Sequence, residues 1–205
     1  MQTEVLPAAD LAALGRALDV LRRGQPVAFP TDTVYGLGAL AFEAEAVQRL
    51  YLAKGRSTGK AIAVLVARSS DLQQVAQALT PSAQKLAQRF WPGALTLVVP
   101  KHPRLPQAVS ALATVGVRQP AHPFALQLLA LAGPLAVTSA NRSDGPNALT
   151  AEAVLDQLGG QVELIIDGGR TPGGAPSTVV DCTQLEPKIL RAGPITAEQI
   201  AQVMG

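Results

Sequence analysis

Cysteine, histidine and aromatic side chains are all scarce in this chain of 205 residues. The lone cysteine, Cys182, cannot form an internal disulfide, which fits a reducing cytoplasm. It stands in an apolar, strand-like run and reads as a small core residue. Two histidines and one cysteine argue against a zinc site. One tryptophan, two tyrosines and four phenylalanines leave the core to Leu, Val and Ala, and leave few rings on which bases could stack. No uncharged apolar run approaches the length of a membrane span. The start, Met1 to Val5, has neither the basic residues nor the apolar core of a signal peptide, so a cytoplasmic protein is expected. Strong charge of one sign is missing as well. A net charge of +2 does not mark a nucleic-acid binder, although clustered basic residues can still make a positive cavity.

What is present is apolar: 48% of the residues, in a length that suits one domain. Pro26 to Phe29 reads as a buried strand that Pro30 ends. Asp10 can cap a helix with Leu11, Leu14, Leu18 and Leu21 on one face and Gly24 at its end. Glu43 to Ala53 predicts a second helix with Val47, Leu50 and Tyr51 inward. Ala61 to Ala67 is apolar on both faces, as a strand covered by helices should be. Ser70 or Asp71 opens a short helix, and Thr80-Pro81 opens another that stops near Trp91-Pro92-Gly93. Ala94 to Val99, Val115 to Arg118, Leu135 to Thr138 and Val162 to Ile166 read as strands. Ser177 to Cys182 and Lys188 to Arg191 read as closing strands. Helices follow Pro123, Thr150 and Thr196, the last with Ile200 and Val203 inward. Lys101 to Ala113, with Pro103 and Pro106, reads as a loop. Strands and helices alternate without linker or repeat, which predicts a single α/β domain with a mixed sheet.

Chemistry-bearing residues gather at the predicted strand ends. Thr31, Asp32 and Thr33 follow the first strand, and Gly36 and Gly38 offer positive φ or close approach of a ligand. The same residues also suit a tight turn in which Thr and Asp bond their own backbone. Lys54, Arg56 and Lys60 are either a solvated charged face or a phosphate clamp. Gly55 to Ala61 fails the nucleotide P-loop pattern. Its glycines are one residue too close, Ala61 replaces the hydroxyl, and a strand follows rather than a helix. Arg118 ends a strand, as a surface exit or a charge aimed into a cleft. Ser139 and Asn141 either bond a ligand or cap the following loop. Ser139 sits in no nucleophile elbow, so a serine hydrolase is poorly supported. Ser177 and Thr178 open a strand, and Arg191 ends one.

Taken in order, Pro30 to Gly38, Lys54-x-Arg56, Trp91-Pro-Gly93, Val117-Arg-x-Pro120, Ser139-x-Asn141, Pro176-Ser-Thr178 and Leu190-Arg-x-Gly-Pro194 resemble the YrdC-like threonylcarbamoyl-AMP synthases. The resemblance runs from about residue 10 to residue 200. It implies a single YrdC-like domain over residues 1–205: a twisted mixed sheet flanked by helices, with a large basic concave cavity. It also implies a nucleotidyltransferase that makes threonylcarbamoyl-AMP and pyrophosphate from L-threonine, bicarbonate and ATP. The product serves the threonylcarbamoyl modification of adenosine 37 in tRNA. By the same resemblance Lys54, Arg56, Lys60, Ser139, Asn141 and Arg191 would bind ATP. Thr33, Arg118 and Ser177 would hold L-threonine, with Arg118 at its carboxylate. Mg²⁺ would come with the ATP. A tRNA threonylcarbamoyl transferase complex would take the product, with tRNA met indirectly or by weak binding and no membrane involved. No residue is required as a covalent nucleophile. Ser57 stands where the family usually has Pro, and Leu65 where many members have His. The chain stops soon after Pro194, as in the short, single-domain form.

Two other functions compete. Hydrogenase maturation factors contain a related domain, but their zinc-finger-like and acylphosphatase segments have no room here. A non-enzymatic RNA-binding module with a basic cavity is the second. It would pair cations with exposed aromatic rings, which this chain lacks in number.

Overall fold

Residues 2–55, 57 and 61–205 are described by the structure, a computed structural model. The apolar runs form short strands: β1 (Glu4–Pro7), β2 (Val27–Phe29), β3 (Gly36–Leu40), β4 (Ala63–Leu65) and β5 (Leu95–Pro100). After them come β6 (Thr114–Arg118), β7 (Leu135–Ser139), β8 (Leu164–Asp167), β9 (Thr178–Asp181) and β10 (Lys188–Arg191). Among the described residues they make one sheet in the order β1-β8-β2-β3-β7-β4-β6-β5-β9-β10. The pairs β1/β8, β2/β8, β4/β6 and β5/β9 are parallel and the others antiparallel, so the sheet is mixed as predicted.

The helices are α1 (Ala13–Arg22), α2 (Ala44–Lys54), α3 (Leu72–Val75), α4 (Pro81–Phe90), α5 (Pro123–Ala132), α6 (Ala151–Leu158) and α7 (Ala197–Met204). Three starts are set by threonine side chains. Thr80, Thr150 and Thr196 accept the backbone N–H of Ala83, Ala153 and Gln199, and Pro81 fills the first helical position of α4. The α1 expectation needs one correction. Asp10 does bond the Ala12 N–H at 2.8 Å, but the helix begins only at Ala13. Leu11 is therefore fully exposed, and Ala13, Ala17, Leu18, Val20 and Leu21 form the buried face. Among the described residues no helix is long and apolar enough to cross a membrane.

Side chains alternate across a strand, so each strand feeds two faces. Leu95, Leu97, Val99, Val115, Val117 and Val64 join the main core with Val47 and Leu50 of α2, Leu86 of α4, Val154 of α6 and Ile200 of α7. On the opposite face, α1 and α5 cover only the portion carrying Val27, Phe29, Leu135, Leu164 and Ile166. The glycines of β3 are not turn residues: neither has a positive φ. A Cβ on Gly36 would lie 2.8 Å from Val137 Cγ1, and one on Gly38 would lie 2.8 Å from Phe29 Cε1. They are small because side chains of the neighbouring strands lie across them.

Tyr35, fully buried just before β3, ties the end of β8 to the centre of the sheet. Its hydroxyl donates to the Gly169 carbonyl at 2.7 Å and accepts from the Gly168 N–H at 3.1 Å. Burial pushes this phenol up to about 12 from an ordinary 10.0. The raised value belongs to the folded state, so its contribution to stability is complete below pH 10. It is lost as pH rises toward 12, because the unfolded chain ionises first. Tyr35→Phe leaves both backbone groups unpaired and should cost about 1–3 kcal/mol in urea unfolding at pH 7. It should also remove the part of the alkaline stability loss between pH 10 and 12 that Tyr35 causes.

Candidate functional site

The half of the sheet that α1 and α5 leave bare is a cleft of about 390 Å³. Alternate residues of neighbouring strands line it: Ala63 and Leu65 of β4, Gly116 and Arg118 of β6, Thr96 and Val98 of β5. Val179 of β9, Arg191 of β10 and Ser139 of β7 extend the lining, and the chain between β2 and β3 supplies Thr31, Thr33 and Tyr35. Gly116 and Ala63 keep the floor low. A Cβ on Gly116 would come within 3.0 Å of Thr96 Cγ2 and 3.7 Å of Ala63 Cβ.

At one end the Thr31–Thr33 turn meets Arg118. Thr31 Oγ1 donates to the Val34 carbonyl at 2.7 Å, and the Thr33 N–H donates back to Thr31 Oγ1 at 3.2 Å. With its own proton committed, Thr31 Oγ1 can only accept from Thr33 Oγ1, 3.0 Å away. Arg118 Nη1 donates to that same Thr33 oxygen at 2.9 Å. Thr33 Oγ1 is left with one lone pair, so toward a ligand it is an acceptor for an N–H or O–H. The turn chemistry and the ligand floor foreseen for this stretch coexist: Thr31 closes the turn and Thr33 faces the cleft.

Arg118 is buried, and desolvation lowers the affinity of its guanidinium for the proton. Three acceptors from two segments hold it, the turn after β2 and the stretch after α4. Nε donates to the Gly93 carbonyl at 2.9 Å, Nη1 to Thr33 and Nη2 to the Asp32 carboxylate. Gly93 is fixed in turn by donating its N–H to the Gln119 carbonyl at 2.9 Å. Three of the five guanidinium N–H groups are thus committed among the described residues.

The far wall is built around Ser177. Its hydroxyl lies 2.7 Å from Thr96 Oγ1, and Arg191 Nη2 donates to it at 3.2 Å. Arg191 Nε and Nη2 also grip the Ser177 carbonyl at 3.1 and 2.7 Å. Burial lowers the Arg191 guanidinium too, and its charge disfavours that of Arg118. Two partly desolvated cations therefore share a cleft that no carboxylate lines among the described residues. Asp32 already offsets the cost at Arg118, and an anionic occupant would relieve the one at Arg191. Among the described residues no cluster of three or more His, Cys, Asp or Glu could hold a metal ion.

Lys54, Ser139 and Asn141 come together as the sequence motif suggested, but only Ser139 lines the cleft. The buried Lys54 ammonium donates to the Ser139 carbonyl at 2.6 Å, the Asn141 carbonyl at 2.8 Å and Asn141 Oδ1 at 3.0 Å, with Ser139 Oγ at 3.2 Å. Asn141 Nδ2 donates to the carbonyls of Arg142 and Gly145, both at 2.8 Å. This pair shapes the loop after β7 from behind the cleft wall. Arg56 and Lys60 lie outside the described residues. Sequence reasoning passed over Asp32 as the partner of Arg118, and over Thr96. The signal for Thr96 was a lone hydroxyl between Leu95 and Leu97 in an otherwise apolar strand. The loop that leads from β8 to Ser177 packs on the turn: the Gly174 N–H donates to the Thr33 carbonyl at 3.1 Å.

Three comparisons bear on this arrangement. A family model, Sua5_yciO_yrdC, described as "Telomere recombination", matches residues 19–193. The chain is 44% identical to the threonylcarbamoyl-AMP synthase of Pyrococcus abyssi over 191 residues, which is 92% of this chain and 56% of the relative. It is likewise 44% identical to the threonylcarbamoyl-AMP synthase of Bacillus subtilis over 195 residues, 94% of this chain and 56% of the relative. The crystal structure of P. abyssi Sua5 complexed with L-threonine superimposes with a TM-score of 0.95 at 41% identity, covering 99% of this chain and 61% of that one. The chain thus spans little more than half the length of the two curated relatives.

Lys54→Met should lower stability by roughly 3 kcal/mol in urea unfolding, since it strands carbonyls that the ammonium now satisfies. A solvated clamp residue would change the midpoint little. At Gly173 an added Cβ would lie 2.6 Å from the Asp32 carbonyl oxygen and 2.8 Å from Thr33 Cα. Gly173→Ala should therefore displace the turn and weaken ligand binding at least tenfold by calorimetry, a loss of about 1.4 kcal/mol.

Proposed function

Since the chain belongs to the Sua5/YciO/YrdC family, we propose that its cleft makes threonylcarbamoyl-AMP from L-threonine, bicarbonate and ATP, releasing pyrophosphate. The observation that carries this reading is the end of the cleft at Thr33. A guanidinium donor pair and a hydroxyl with one open acceptor site stand side by side. That is the complement of an α-amino acid, with the carboxylate toward Arg118 and the amine toward Thr33. Ser177 and Thr96 present further hydroxyls beside them.

In the proposed reaction the unprotonated amine of threonine takes up bicarbonate, giving a carbamate and water. A carbamate oxygen attacks the α-phosphorus of ATP. The bond from that phosphorus to the oxygen bridging the β-phosphate breaks, and pyrophosphate leaves with the electron pair. The protein positions the reactants and offsets charge, so no covalent nucleophile is needed. Arg191, at the Ser177 end, faces the phosphates. Ser139 bonds the nucleotide, while Lys54 and Asn141 hold the loop beneath it. Arg56 and Lys60 complete the ATP contacts. Mg²⁺ enters bound to ATP as part of the substrate, since among the described residues no carboxylate lines the cleft. The product passes to a tRNA threonylcarbamoyl transferase complex, with tRNA met indirectly or weakly, in the cytoplasm.

Pyrophosphate release should require threonine and bicarbonate together. Serine, lacking one methyl, should be about tenfold or more poorer in kcat/KM. Arg191→Ala and Arg56→Ala should each lower kcat/KM about a hundredfold, on the order of 3 kcal/mol of transition-state stabilisation, while the folded fraction is retained. A protein that binds RNA with steep salt dependence and releases no pyrophosphate would refute this reading.

A further inference from the structure

Asp32 does not line the cleft, yet its carboxylate is bonded to Arg118, which does. Its side chain is 14% exposed and that of its partner Arg118 is 7% exposed. One oxygen, Oδ1, takes both the Arg118 Nη2 donor and the Ala121 backbone N–H, the latter at 3.0 Å. The Ala121 contact pins the carboxylate to the segment between β6 and α5, so it cannot swing to follow the arginine. With Nε on Gly93 and Nη1 on Thr33, the planar guanidinium has its orientation fully determined. The pair also sets the charge at this end of the cleft. Alone, Arg118 would add a full positive charge beside Arg191, and any small anion could enter to offset it. Paired with Asp32 it is nearly neutral in net field while still offering directed N–H groups.

We infer that Asp32 is a positioning residue that makes this end of the cleft select an α-amino acid over a plain carboxylate or inorganic anion. It aims the Arg118 fork at the carboxylate and cancels the surplus charge that would otherwise reward any anion. An amino acid gains from both Arg118 and the open acceptor of Thr33, whereas a carboxylate without an amine gains only from the first. A zwitterion, with no net charge, is not penalised by a site that is itself nearly neutral. This inference rests on the proposed threonine site.

The experiment measures calorimetric binding of L-threonine, of 3-hydroxybutyrate (threonine without its amine) and of inorganic phosphate. It compares the wild-type protein with Asp32→Asn, which keeps the shape and removes the charge. Wild-type protein should bind threonine at least tenfold more tightly than 3-hydroxybutyrate. Asp32→Asn should reduce that ratio tenfold or more, and phosphate should compete in the variant but not in the wild type. If both organic ligands weaken in proportion and phosphate still fails to compete, Asp32 is only structural and the inference is overturned. Should Asp32→Asn not fold, Asp32→Glu retains the charge. Its threonine affinity should fall while the ratio stays within threefold of wild type, and a collapsed ratio in Asp32→Glu overturns the inference. A wild-type protein that binds 3-hydroxybutyrate but no threonine overturns the threonine reading and this inference together.

Discussion

A guanidinium taken out of water at the end of a central strand must find acceptors, and the architecture around Arg118 answers that requirement. Its three partners come from two separate segments: the carbonyl of Gly93 after α4, and the Thr33 hydroxyl and Asp32 carboxylate of the turn after β2. Leaving any one unmade in a low-dielectric site would cost more than the bond itself contributes on the surface. The need for acceptors therefore ties together parts of the chain that are far apart in sequence and brings their polar groups to one place. Asp32 has a second anchor in the Ala121 N–H, so the cluster is braced on both sides.

The cleft exists because the second helical layer is incomplete. Helices α2, α4, α6 and α7 pack on one sheet face, while α1 and α5 cover the other mainly from β1 to β7. Over the remaining strands, beside Leu65, Val98 and Val179, several outward positions are small or hydroxylated, Ala63, Gly116 and Thr96 among them. Such residues do not call for a helix to cover them, as the Leu and Val on the reverse of the same strands do. Arg191 and the Asp32-paired Arg118 stand at the ends of this bare strip and supply it with directed N–H donors. The same strands thus carry a core on one side and a site on the other.

Much of this was legible in the sequence, and the limits have physical causes. Strands β4, β5, β7 and β9 announce themselves as apolar runs, and the threonine caps of α4, α6 and α7 mark where periodic segments begin. Other features hide. Strand β1 is a short edge strand ending in Pro7, and β3 is rich in glycine, which is a poor strand former alone. Its glycines serve contacts with Phe29 and Val137 that only the assembled sheet reveals. Leu11 fits the helical period but lies before the first turn. Five of the seven ordered blocks reach one cleft, through Thr33, Arg118, Ser139, Ser177 and Arg191. Spacing along the chain could not tell that Lys54 and Asn141 brace the wall rather than form its surface. Those contacts join residues more than eighty positions apart.

The central claim is that the Arg118 end of the cleft receives an amino acid. Arginine side-chain Nε–Hε resonances followed by ¹⁵N NMR during an L-threonine titration test it most directly. Arg118 Nε–H, buried against the Gly93 carbonyl, should be protected from exchange and should shift in a saturable way. Arg16, ion-paired to Glu4 and Glu163 away from the cleft, should stay fixed. A saturable response elsewhere with Arg118 unmoved, or no response at any threonine concentration, would contradict the account.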